Sequence, residues 1–302
     1  MDIHVLEMPL DYGANRHGSD MGPSAIRLAG LKEKLQKLNH KITRSFSPIG
    51  FHPQEYEEIY DQKAKYLPFI VTACENLAQS VKEAAESEAF PIVLGGDHSI
   101  ALGTLAGLSS VYRKQNLRFG VIYIDAHGDF NTCETTLTGN IHGMCLSASC
   151  GYGIKPLTEL FEKERKVDPK KVFFVGLRDL DPKEKDLMRS AEVNALTMTD
   201  IDRIGFTETV KRVTDFIRNE TDVVHVSFDM DVMDPMYAPG VGIPLPGGLT
   251  YREILLLMEE LSKTQKVKSV EVVEVNPVLD VRNQTAAMAV EIIGRLLGET
   301  IY

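Results

Sequence analysis

Short, nearly unbroken apolar runs recur along the chain: HVLEM, FPIVLGG, FGVIYIDAH, KVFFVGLRD, VVHVSFDMD and VKSVEVVEVNP. Runs of this length bounded by glycine and acidic residues read as strands buried on both faces. Between them, TVKRVTDFIRNE and TYREILLLMEELSK place apolar residues at helical spacing, which predicts amphipathic helices. Thr250 followed by Glu253 has the T-x-x-E capping-box pattern and sets the start of the second of these helices. Strands alternating with helices predict an α/β fold, a three-layer αβα sandwich with a mainly parallel central sheet. The segment from Phe51 to Gln62 is polar and is expected to be a surface excursion.

No low-complexity linker, long charge run or fixed-period repeat divides the 302 residues, so one domain over 1–302 is expected. The formal charge of −10 argues against a general nucleic-acid surface, which needs a basic field, but suits small cationic substrates. No apolar stretch approaches the length that spans a bilayer, and the opening MDIHVLEMPLDYG lacks the pattern of a signal peptide. A cytoplasmic protein without membrane contact is therefore expected. Cys74, Cys133, Cys145 and Cys150 form neither a disulfide framework nor a zinc pattern and are read as free thiols.

In open α/β sheets, ligands bind outside the carboxyl ends of the strands. There FPIVLGGDHS brings His98, GVIYIDAHGD brings Asp125, His127 and Asp129, and VVHVSFDMD brings Asp229 and Asp231. Residues at alternate positions of an extended segment share a face, so each group can point into one cavity. Four carboxylates there would repel one another unless cations neutralised them; two divalent ions balance the charge while both histidines stay neutral. Six ligands exceed one tetrahedral zinc and suit a binuclear site. Oxygen ligands with a minority of imidazoles and no thiolate favour Mn²⁺, with Co²⁺ or another divalent transition metal as the alternative.

The ordered segments GGDHS, DAHGDFN, GNIHGM, SFDMDVMDP and VEVNP resemble the signatures of the ureohydrolase (arginase/agmatinase) family, and within it the bacterial arginases. The resemblance runs from GSDMGPSAIRLAG through GLRDLDP and GGLTYRE to the final GET, almost the whole chain. It implies an arginase-like fold, with His98, Asp125, Asp129 and Asp229 at one Mn²⁺ and His127, Asp125, Asp229 and Asp231 at the other. It also implies hydrolysis of L-arginine to L-ornithine and urea, in which a metal-bridging hydroxide attacks the guanidinium carbon. By the same resemblance Asp129 relays a proton, His142 shuttles protons to bulk water, and Glu274 orients the guanidinium. Asn131 and Thr138 correspond to positions that bind the α-carboxylate, with Thr136 helping through water. Asp181 corresponds to the partner of the α-ammonium, with Glu184 nearby, and Thr250 to a supporting threonine. A homotrimer or homohexamer is implied as well.

Two departures stand out: Thr138 where the family usually has serine, and Val232 with Met233 in DVMDP. Neither touches an expected metal ligand. His4, His17, His40, His52 and His225 fall outside the strand-end group and are assigned structural or surface roles. GYGIK lacks the spacing of a dinucleotide loop, and Ser99 lacks the setting of an elbow nucleophile. The competing readings are hydrolysis of another guanidino compound such as agmatine, and a metal-stabilised binding protein without turnover.

Overall fold

The computed structural model describes residues 1–47 and 61–302. Most of the expected surface excursion lies outside the described residues; its last two, Asp61 and Gln62, are exposed. The six apolar runs all form strands: β1 (Asp2–Met8), β3 (Phe90–Gly95), β4 (Phe119–Ile124), β5 (Val172–Leu177), β7 (Val223–Asp229) and β8 (Val267–Val273). Two further strands, β2 (Lys41–Phe46) and β6 (Asn194–Thr197), close the edges of one eight-stranded sheet in the order β2-β1-β3-β8-β7-β4-β5-β6. Every pairing in it is parallel.

Alternation along the strands sorts side chains into two cores. Ile122, Ile124, Val224, Val226, Phe228, Val270 and Val272 pack on one face under the helices Phe206–Glu220, Tyr251–Lys263 and Gln284–Leu296. Val121, Tyr123, Val172 and Phe174 pack on the other under Leu67–Glu86, Ala101–Lys114 and Pro182–Ser190. Helices on both faces bury a parallel sheet that cannot afford a wet side. The helix Ala101–Lys114 sits tightly on Leu67–Glu86, because a Cβ on Gly103 or Gly107 would come within 2.5 Å of a carbonyl oxygen of Cys74 or Ala78.

Both predicted helices are present. Thr250 caps Tyr251–Lys263 by accepting the N–H of Glu253 at 3.3 Å, and Glu253 Oε2 returns the bond to Thr250 N at 2.7 Å.

The strand order determines where chemistry can gather. β3, β8, β7 and β4 are neighbours and all run the same way, so the segments leaving them open at one edge. Ile124 is in register with Phe228, and Phe228 with Val272, which sets Asp125, the first residue beyond β4, level with Asp229, the last residue of β7.

Candidate metal centre

Each loop at this edge is fixed by its own backbone bonds. After β3, Asp97 accepts the N–H of Gly13 at 2.7 Å and that of Ser99 at 2.8 Å, which holds the short turn carrying His98. After β4, Asp125 Oδ1 accepts the N–H of His127 at 2.6 Å. Asp129 and Glu274 adopt φ of +47° and +64°, a left-handed conformation that non-glycine residues adopt at a cost. The Asp129 turn is held by the N–H groups of Leu146 and Ser147, both 3.2 Å from its carbonyl oxygen. Arg178 donates to the carbonyls of Asp231, Val232 and Leu245 at 2.7, 3.1 and 2.9 Å, clamping the segment that carries Asp231.

The six expected ligands converge. His98 Nδ1 lies 3.1 Å from Asp125 Oδ2, Asp129 Oδ2 and Asp229 Oδ2 alike. His127 Nδ1 lies 3.0 Å from Asp231 Oδ2 and 3.5 Å from Asp125 Oδ1. Two groups with the spacing of metal ligands result, His98/Asp125/Asp229 and Asp125/His127/Asp231, and Asp125 belongs to both. The ring of His98 stacks on Tyr123 with centroids 4.7 Å apart, and the Tyr123 hydroxyl donates to Asp129 Oδ2 at 2.7 Å. His98 Nε2 meets Ser227 Oγ at 2.8 Å.

A single imidazole nitrogen carries at most one proton and cannot satisfy three carboxylates. Asp125 Oδ2 is buried without a hydrogen-bond partner. Burial, Asp231 and Asp125 drive the Asp229 carboxyl well above its ordinary range; burial, Asp129 and Asp231 raise Asp125. Burial would lower His98 and His127, but the surrounding carboxylates outweigh it and hold both well above the usual imidazole range. Excess negative charge in a dry site is what divalent cations relieve, so the donor set fits a metal pair.

Above the cluster lies a cavity of about 210 Å³ lined by His127, His142, Glu274, Asn131, Thr138 and Asp181, among others. Asn131 Nδ2 donates to Asp181 Oδ2 at 3.0 Å, joining two expected contacts for the amino-acid end. Glu184 also borders the cavity, yet its carboxylate accepts the N–H of Phe130 at 2.8 Å and of Asp181 at 3.0 Å. It thereby ties the loop after β4 to the loop after β5, and burial pushes its carboxyl up to about 7. Thr136 lies outside the cavity wall and accepts the N–H of Gly139 at 2.9 Å. Thr250 is likewise absent from the wall. A larger cavity of about 630 Å³ opens where β3, β7 and β8 begin and contains none of these groups.

Sequence reasoning missed Tyr123, Ser227 and Arg178. The first two lie two residues before Asp125 and Asp229 on their strands, so alternation pointing inward from a known ligand was the available signal. Arg178 lies in the GLRD segment with no spacing to single it out.

An all-parallel α/β sheet with a carboxylate-rich candidate metal centre at its carboxyl edge is the class defined by fold and site together. The family model for the arginase family matches residues 1–298. The arginase of Bacillus caldovelox is 45% identical over 300 residues, covering 99% of both chains. The crystal structure of the arginase from Bacillus cereus superposes with a TM-score of 0.93 at 42% identity and full coverage of both chains. The Entamoeba histolytica arginase, solved in complex with L-ornithine, superposes at 0.89 with 30% identity over 99% of each chain. The chain belongs to the arginase family and is a hydrolase of the arginase type.

Proposed function

We propose that the protein hydrolyses L-arginine to L-ornithine and urea at a centre for two Mn²⁺ ions, with Co²⁺ or another divalent transition metal as the alternative. The observation that carries this reading is the convergence of three carboxylate oxygens 3.1 Å from His98 Nδ1, beside a cavity that Asn131, Thr138 and Asp181 also line. His98, Asp125, Asp129 and Asp229 would hold one ion; His127, Asp125, Asp229 and Asp231 would hold the other. The chemistry such a pair supplies is acidification of a water molecule to a nucleophile near neutrality.

The remaining work falls to the chain's own groups. Glu274 orients the guanidinium with its planar carboxylate, so that the guanidinium carbon faces the centre. Asp129 accepts the proton given up by the water and relays it toward the leaving amine. His142 Nδ1 lies 3.3 Å from Glu274 Oε1. Burial alone would lower the His142 pKa, but Glu274, Asp129 and Asp97 outweigh it and raise it to about 9. Without cations it therefore holds a proton near neutrality, and we assign it the exchange of protons between the site and bulk water.

At the other end Asn131 and Thr138 take the α-carboxylate, with Thr136 acting through water, and Asp181 takes the α-ammonium. Glu184 and Thr250 act by holding loops and a helix in place, consistent with their backbone bonds. We further assign one domain over 1–302 and assembly as a homotrimer or homohexamer; a cytoplasmic location is assigned too, with which the four free cysteines agree. Among the described residues no helix is long and apolar enough to cross a membrane.

Release of urea and ornithine from L-arginine by Mn²⁺-loaded protein, against a metal-stripped control, tests the reading. Agmatine is the informative comparison, because it keeps the guanidinium and lacks the α-carboxylate. Faster turnover of agmatine than of arginine would replace this reading with an agmatinase.

A further inference from the structure

The face of β7 and β8 beneath the metal centre carries polar side chains where neighbouring strands carry apolar ones. His225 is in register with Ser269, and Ser227 with Glu271, so alternation puts all four on one face. Each is fully buried. Polar groups so placed are costly unless they are hydrogen-bonded, and these bond to one another in part, with Glu271 Oε2 and His225 Nε2 left without a hydrogen-bond partner. Ser227 Oγ donates to Glu271 Oε1 at 2.7 Å, His225 Nδ1 meets Ser269 Oγ at 2.8 Å, and His225 Nε2 lies 3.3 Å from Glu271 Oε1.

Counting protons gives this stripe a direction. An ionised carboxylate only accepts, and a serine hydroxyl has one hydrogen. With that hydrogen committed to Glu271, Ser227 Oγ can only accept from His98, at 2.8 Å from Nε2. Once the ring has given up one proton, as ligation requires, the proton it keeps is on Nε2, and Nδ1 presents its lone pair to the point where the oxygens of Asp125, Asp129 and Asp229 converge.

From this geometry we infer that Glu271 is a positioning residue, acting through Ser227 to commit His98 Nδ1 to the cation and supported from behind by His225. A carboxylate behind a ligating imidazole also strengthens it as a donor. The inference rests on the two-cation reading above. It predicts an asymmetry, because the stripe reaches His98 and makes no hydrogen bond to His127.

Calorimetric titration of the metal-stripped full-length protein with Mn²⁺ tests it, together with metal retained after dialysis. Glu271→Gln removes the charge and gives Ser227 a donor to face, so its hydrogen is no longer committed. Two classes of site are expected in the unchanged protein. In Glu271→Gln the affinity of one class falls about 10- to 100-fold while the other is retained. Ser227→Ala should weaken the same class, and the double variant should bind no more weakly than the worse single one, because both act on one path. Unchanged affinities in Glu271→Gln, additive losses in the double variant, or an equal loss at both classes with a lowered melting temperature would each overturn the inference. Failure of the unchanged protein to take up two ions would overturn the two-cation reading instead, and this inference with it.

Discussion

His142 Nδ1 lies 3.3 Å from Glu274 Oε1, the same oxygen that accepts the backbone N–H of His98 at 3.0 Å. One carboxylate thus links the turn after β3, the loop bearing His142 and the end of β8. Glu274 occupies this position with φ of +64°, so backbone strain is placed where the carboxylate has to face the cavity.

Glu274→Gln keeps the size of the side chain and removes its charge. The His142 pKa, about 9 with Glu274 in place, should fall, because burial is then opposed only by more distant carboxylates. Titration of the ring by NMR in the metal-free protein checks this. The kcat/KM for arginine should drop by about 100-fold or more as guanidinium orientation is lost. An unaltered kcat/KM would remove Glu274 from the site.

Asp181 receives the side-chain N–H of Asn131 at 3.0 Å and lines the cavity. Asp181→Ala should raise KM for arginine by about 10- to 100-fold, the scale of one lost charge-assisted hydrogen bond, with kcat changed much less. Steady-state kinetics separate the two constants. A fall in kcat at constant KM would contradict a binding role.

Asp129 lies 3.1 Å from His98 Nδ1 and accepts the Tyr123 hydroxyl at 2.7 Å. Asp129→Ala should cost the protein one tightly held ion and most of its activity, with the His127 side still loaded. Metal analysis after exhaustive dialysis decides this; unchanged metal content would contradict the assignment.

Metal uptake should depend on pH in a fixed direction. Without cations, His98 and His127 are held well above the usual imidazole range, where burial is outweighed by Asp125, Asp129, Asp229 and Asp231. Both therefore carry protons near neutrality, and both must release them to ligate. Mn²⁺ affinity should accordingly weaken from pH 8 to pH 6, and calorimetry in buffers of different ionisation enthalpy should detect released protons. Affinity independent of pH over that range would contradict protonation of the metal-free site.

The central strands were legible because a strand covered on both faces reads as an unbroken apolar run. β2, KITRSF, and β6, NALT, escaped because edge strands need no such run; β2 is exposed except at half-buried Ile42 and Phe46, and β6 buries only Leu196. The six converging ligands were legible for a related reason, as alternate polar residues ending apolar runs have few other uses. Tyr123, Ser227 and Glu271 were not, because they lie inside those runs, where sequence alone does not separate a core position from one that holds a ligand. Thr136 is two residues from cavity-lining Thr138, yet its hydroxyl serves a backbone N–H of its own turn, and the hydroxyl of Thr250 serves the helix it caps.

The most direct test of the account is urea production from L-arginine during stepwise Mn²⁺ addition to metal-stripped protein. Urea should be negligible at the start, rise to saturation once two ions per chain are bound, and collapse on chelation. Full urea release before any metal is added, or none at saturation, would contradict it.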